Sequence, residues 1–124
     1  MAATNTVLCI HRDPDELRVL REKGYELVTA TNGSLALRIL RARPVDAVVL
    51  EYSIRALGGA AVLDQIRRVR PQVPIVVVAD PQELSQKALK SADTLVAKSD
   101  GAHFLWAAVH FLLTTKPDPG SIRC

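Results

Sequence analysis

Pro74-Ile75-Val76-Val77-Val78 holds the most strand-like run of the chain, four β-branched residues in succession with nothing polar between them. A run that is apolar at every position meets protein on both faces of its sheet. That is the mark of a parallel strand covered by helices, not of an antiparallel strand with one wet face. Four further stretches read as strands: Thr6 to Ile10 (TVLCI), Tyr25 to Ala30 (YELVTA), Ala47 to Leu50 (AVVL) and Thr94 to Ala97 (TLVA). The second of these alternates more openly, as an edge strand does.

Each interval between these runs reads as a helix. Asp13-Pro14-Asp15-Glu16 is a helix start, with Asp13 placed to cap, proline at the first helical position and Glu16 where a capping box wants it. Lys23-Gly24 ends that helix, because glycine takes the left-handed conformation without cost. Asn32-Gly33 turns the chain into a helix from Ser34 to Arg43, with Leu35, Leu37, Ile39 and Leu40 on its apolar side. Ala60 to Val69 presents Val62, Leu63 and Ile66. Asp80-Pro81-Gln82-Glu83 repeats the earlier start signal and predicts a short helix from Glu83 to Lys90. A closing helix runs from Ala102 to about Thr115. Five strands alternating with five helices predict a doubly wound α/β sandwich, whose chemistry gathers at the carboxyl ends of the strands. Those ends are His11-Arg12-Asp13, Glu51, Ala79-Asp80 and Lys98-Ser99.

The 124 residues suit one domain, read as 1–116 with a frayed tail at 117–124. At 48% hydrophobic and 23% charged, the composition is that of a water-soluble globular protein. No apolar stretch reaches the roughly 20 residues of a membrane span, and Met1 to Thr6 lacks the form of a signal peptide, so a cytoplasmic location is expected. Cys9 reads as a small buried hydrophobe and Cys124 as incidental. The net charge of +3 comes with arginines at 18/21, 38/41/43 and 67/68/70, each group on the polar face or end of an amphipathic helix. They read as solvated, and nucleic acid is not the expected partner. Ser34, Ser53 and Ser99 have no His/Asp arrangement that would make a nucleophile, so the chain does not read as an enzyme. No second ligand at a metal-binding spacing accompanies His11, and no cofactor or metal is expected.

Taken in order, these stretches resemble the receiver domain of response regulators in two-component signalling, over about Thr6 to Leu113. The likeness is carried by Ile10-His11-Arg12-Asp13-Pro14, by Gly24-Tyr25 through Asn32-Gly33, by Pro44 to Glu51, by Pro74 to Val78 and by Ala92 to Lys98. The resemblance implies a flavodoxin-like (βα)5 fold with strand order 2-1-3-4-5. It also implies a phosphoacceptor position at Glu51, an acidic pocket at His11, Arg12 and Asp13, a retained lysine at Lys98, a hydroxyl position at Ala79 and an aromatic switch position at Leu95.

At most of these positions the residue type departs from the family pattern. His11 and Arg12 stand where two hard oxygen ligands for magnesium belong. Glu51 is a methylene too long for in-line transfer, Ala79 has no hydroxyl and Leu95 no aromatic ring. Asp13 is accounted for as a helix cap. The expectation is a degenerate receiver that works without phosphorylation, by binding a signalling protein such as a sensor kinase, another regulator or an output protein. The alternatives are a receiver that still takes phosphate in an unusual way and a small basic nucleic-acid-binding protein. The closing helix is apolar nearly all round. Leu105, Ala108, Val109 and Leu112 suffice to face the sheet, which leaves Phe104, Trp106, His110, Phe111 and Leu113 as candidates for a homodimer or partner interface.

Overall fold

The computed structural model describes residues 5–10, 17–51, 59–79 and 92–115. Strands β1 (Thr6–Ile10), β2 (Glu26–Ala30), β3 (Ala47–Glu51), β4 (Ile75–Ala79) and β5 (Thr94–Ala97) form one sheet in the order β2-β1-β3-β4-β5. All four pairings are parallel. The described helices are α1 (Arg18–Glu22), α2 (Gly33–Ala42), α3 (Gly59–Val69) and the closing helix (Ala102–Thr115). The cap expected at Asp13, the helix expected over Glu83 to Lys90 and the tail lie outside the described residues.

Strand alternation divides the core into two halves. Leu8, Ile10, Val48, Leu50, Ile75, Val77 and Ala79 point to the face covered by α2 and α3, where they meet Leu37, Leu40, Val62, Leu63 and Ile66. Val7, Cys9, Ala47, Val49, Val76, Val78 and Val96 point to the other face and meet Leu20, Leu105, Ala108 and Val109 of α1 and the closing helix. Every residue of β1 and β4 is buried, which is why those runs carry no polar alternation. Each large side chain so buried contributes about 1.5–3 kcal/mol relative to exposure. Burial also pushes the Cys9 thiol up to about 12, against a smaller opposing pull from the Arg21 charge.

Several boundaries differ from the sequence reading for local reasons. β2 starts at Glu26, because the Tyr25 amide still bonds the Leu20 carbonyl of α1 at 3.2 Å. Asn32 is the cap of α2 and not just part of a turn: its Oδ1 accepts from the Leu35 amide at 2.9 Å, so the helix begins at Gly33. α3 likewise begins one residue early, at Gly59. β3 extends through Glu51 and β4 through Ala79, paired in register with Val78 and Ala97 respectively. Gly24 has φ of 95°, the left-handed stop anticipated for α1.

The rim where the strands begin is held by side chains. Asp46 Oδ2 accepts from the Thr6 amide at 2.7 Å, while the Asp46 amide donates to the Thr6 carbonyl at 2.8 Å. Asp93 does the same for β4, accepting from the Ile75 amide at 2.7 Å and donating to its carbonyl at 2.9 Å. Arg67 then pairs with Asp93 at 2.7 Å and donates to the carbonyls of Val73 at 2.8 Å and Pro71 at 3.1 Å. Arg70 crosses to the end of α2, donating to the Leu40 carbonyl at 2.6 Å.

Candidate functional site at the strand ends

The strand order reverses between β1 and β3, and the crevice beyond their carboxyl ends is where doubly wound sheets place their chemistry. Ile10 and Leu50 are register partners there, and Glu51 continues β3 one residue past them. Glu51 is half-buried and engaged in a polar interaction, and it is the only acidic side chain on the strands' last residues, Ile10, Ala30, Glu51, Ala79 and Ala97. Ala79 ends β4, fully buried, and presents a methyl group with no hydrogen-bonding capacity. Beyond β5 the chain enters a short 3-10 turn, Lys98–Asp100, whose Asp100 Oδ2 accepts from the Ala97 amide at 3.0 Å. The topology thus brings Glu51, Ala79 and the backbone of Lys98 to one rim. His11, Arg12 and Asp13 lie outside the described residues, as does the side chain of Lys98.

Leu95 pairs with Val77 and so points to the α2–α3 face of the sheet, opposite the closing helix, with 38% of its surface exposed at the sheet edge. A branched aliphatic side chain there has no polar tip to exchange between buried and solvated positions.

The five interface candidates of the closing helix separate into two flanks. Phe104 and Phe111, seven residues apart and hence on one side, are 52% and 59% exposed. Trp106 and Leu113 pack against the core of the chain itself. His110 stacks on Trp106 at a ring separation of 5.3 Å and lies 3.1 Å, through Nδ1, from the Tyr25 hydroxyl. Trp106 is therefore an internal packing residue, and the outward apolar flank is that of the two phenylalanines. The sequence signalled surplus apolar surface but not its direction, because a helix apolar nearly all round has no stripe to orient it.

The arginines also divide. Arg43 pairs with Glu26 at 3.5 Å, Arg68 with Asp64 at 3.4 Å and Arg67 with Asp93, while Arg70 bonds a carbonyl. Four of the six arginines on α2, α3 and the residues that end them thus engage the protein's own acids and carbonyls. No described helix is long and apolar enough to cross a membrane.

A parallel 2-1-3-4-5 sheet with a carboxylate at the end of β3 defines a class, and comparison with known proteins agrees. The model of the response regulator receiver domain family matches residues 17–109, and the chain belongs to that family. It is a receiver domain of two-component systems. The transcriptional regulatory protein KdpE of Mycobacterium tuberculosis is 32% identical over 101 residues, covering 77% of this chain and 45% of KdpE. The chain spans less than half the length of the curated relatives it matches. The receiver domain of the sensor histidine kinase PA1611 from Pseudomonas aeruginosa, solved with magnesium coordinated in its active site cleft, superposes with a TM-score of 0.78 at 20% identity, covering 91% of this chain and 100% of that one. The response regulator TrrA, solved in complex with the histidine kinase ThkA, gives 0.77 at 26% identity, covering 90% and 100%.

Proposed function

We propose that this receiver has given up magnesium-dependent phosphoryl acceptance and acts as a non-enzymatic, phosphorylation-independent binding module in a two-component pathway. The observation that carries this reading is the strand-end rim itself, with Glu51 where an aspartate would accept phosphate and buried Ala79 where a hydroxyl would steady it. A hard divalent cation needs several oxygen ligands. The residues following β1 offer an imidazole and a guanidinium, His11 and Arg12, so the donor set does not fit magnesium. Arg12 and Lys98 instead supply fixed positive charge around Glu51, whose carboxylate acts as a permanent negative charge in place of a transient phosphoryl group. The partner is a kinase, a second regulator or an output protein, by analogy with TrrA and ThkA. Incubation with acetyl phosphate and magnesium is expected to leave the chain unmodified. A stable phosphoprotein abolished by Glu51→Gln would instead establish the unusual acceptor.

The exposed pair Phe104 and Phe111 favours a second element of this reading, weak self-association through that flank of the closing helix. A phenylalanine carries about 150–250 Å², so two at half exposure supply about 200 Å² per protomer, well short of the ~800 Å² per partner of a stable interface. A dimer seen only at high concentration, and abolished in Phe104→Ser/Phe111→Ser, is the expected sedimentation result. A monomer throughout would leave the flank to a heterologous partner.

A further inference from the structure

The closing helix is tied to the turn between α1 and β2 by three rings and an ammonium group in file. The Tyr25 hydroxyl lies 3.1 Å from His110 Nδ1, the His110 ring stacks on Trp106 with an interplanar angle of 27°, and Lys23 Nζ stands 4.6 Å from the centroid of the Trp106 ring. Trp106 and His110 share a flank because they are four residues apart on the helix. Lys23 and Tyr25 bracket Gly24, whose positive φ makes the turn that ends α1.

We propose that this file is an acid-released clasp, closed when His110 is neutral and opened when it takes a proton. It does not depend on how the strand-end site works. A neutral imidazole has one acceptor nitrogen, and in the proposed closed state that nitrogen is Nδ1, which accepts the hydrogen bond donated by the Tyr25 hydroxyl. In the protonated ring both nitrogens are donors, so the bond to Tyr25 must reverse. The ring then brings a second positive charge against an indole that Lys23 already occupies.

Among the described residues, the surroundings offer little to compensate that charge. The closing helix contains no acid, and its other titratable group is the exposed His103. On and after α1 stand Arg18, Arg21 and Lys23 against the single acid Glu22. On β2, Glu26 is engaged by Thr6 and Arg43. The remaining elements packed on the helix or sharing its core are β1, whose one titratable side chain is the buried Cys9, β4, which has none, β3, β5 and the 3-10 turn. β5 has no titratable residue, β3 ends in Glu51, and the turn contains Lys98 and Asp100. Glu51 and the turn lie at the helix's beginning, whereas His110 is eight residues on, about 12 Å along the axis.

Trp106 is the only tryptophan of the chain, so its fluorescence reads the clasp in the intact protein. Quenching by acrylamide is to be compared at pH 8 and pH 5. The quenching constant of the wild type is expected to rise at pH 5, with a red shift of the emission. The rise should disappear in His110→Gln, shrink in Lys23→Gln and persist in His103→Gln. Equal constants at the two pH values in the wild type overturn the proposal, as does a rise that survives His110→Gln. A full rise in Lys23→Gln overturns the charge mechanism. Far-ultraviolet circular dichroism of each variant at both pH values separates opening of the clasp from unfolding, and a rise that accompanies loss of helix also overturns it.

Discussion

The two rims of the sheet are built on opposite plans. Where the strands begin, Asp46 and Asp93 each lock a neighbouring strand through its first amide and carbonyl, and Arg67 ties one of these carboxylates to two further carbonyls. Where the strands end, the last residues are Ile10, Ala30, Glu51, Ala79 and Ala97, and among the described residues Asp100 is the side chain seen to bond a strand amide there, that of Ala97. Side-chain chemistry at the first rim is committed to architecture, so a change there is paid in stability. At the second rim Ala79 carries no polar group and Glu51 stands one residue past the β1–β3 pairing, so the chemistry of these two positions is expected to change at less cost to the fold. A receiver fold carrying Glu51 and Ala79 in its site is the outcome that such a division permits.

The interior between the rims sets the scale for both. The folded-state value of the Cys9 thiol lies above its ordinary 9.0, at about 12, so its contribution to stability is complete below pH 9 and is lost as pH rises toward 12. Over that interval, stability should fall by about 1.4 kcal/mol per pH unit on this account alone. Urea denaturation from pH 8.5 to 11, comparing wild type with Cys9→Ala, should isolate it. The variant starts lower because of the small cavity but declines less steeply.

At the first rim, Asp93→Ala removes a charged acceptor from both the Ile75 amide and Arg67 and should cost about 2 kcal/mol by the same measurement. Asp46→Ala, which frees only the Thr6 amide, should cost about 1.5 kcal/mol. Losses near zero at both positions would break the comparison, since the first rim would then be no more committed than the second.

How much of this was legible in the sequence follows from what each signal encodes. The five strands and their parallel arrangement could be read because burial on both faces leaves continuous apolar runs, as at Ile75 to Val78. Gly24 was legible because a left-handed stop needs glycine. The carboxyl-end rim was legible because the fold places it there, and Glu51 is found on it. The work of Asp46 and Asp93 was not. Each stands one residue before its strand, a position from which a carboxylate faces either solvent or a neighbouring amide, and only the sheet order decides which. Asn32 did offer a signal, since asparagine three residues before Leu35 is a capping position. The inward turn of Trp106 sets its ring against Lys23, more than 80 residues away in sequence, and no local period encodes that contact.

The smallest expected effect is at the second rim, and it tests the comparison most finely. Glu51→Gln keeps the length and most of the hydrogen-bonding capacity of the side chain and removes its charge. If the charge is balanced by Lys98 and Arg12, as proposed, removing it leaves two cations without their counterion. Stability should then fall, but by less than about 1 kcal/mol, because the group is half-exposed and its electrostatics are screened by water. The same reasoning fixes the salt dependence. Added salt shortens the range of the interaction, so the loss measured at low ionic strength should shrink by 0.5 M sodium chloride, where the screening length is only about 4 Å. The loss in Asp93→Ala should persist, because it arises largely from an amide left without its acceptor. A gain in stability in Glu51→Gln would mean that the carboxylate is an uncompensated charge at the end of a buried strand. The second rim would then be strained for function and not merely released from structural duty, and phosphate acceptance at Glu51 would become the better reading of the site.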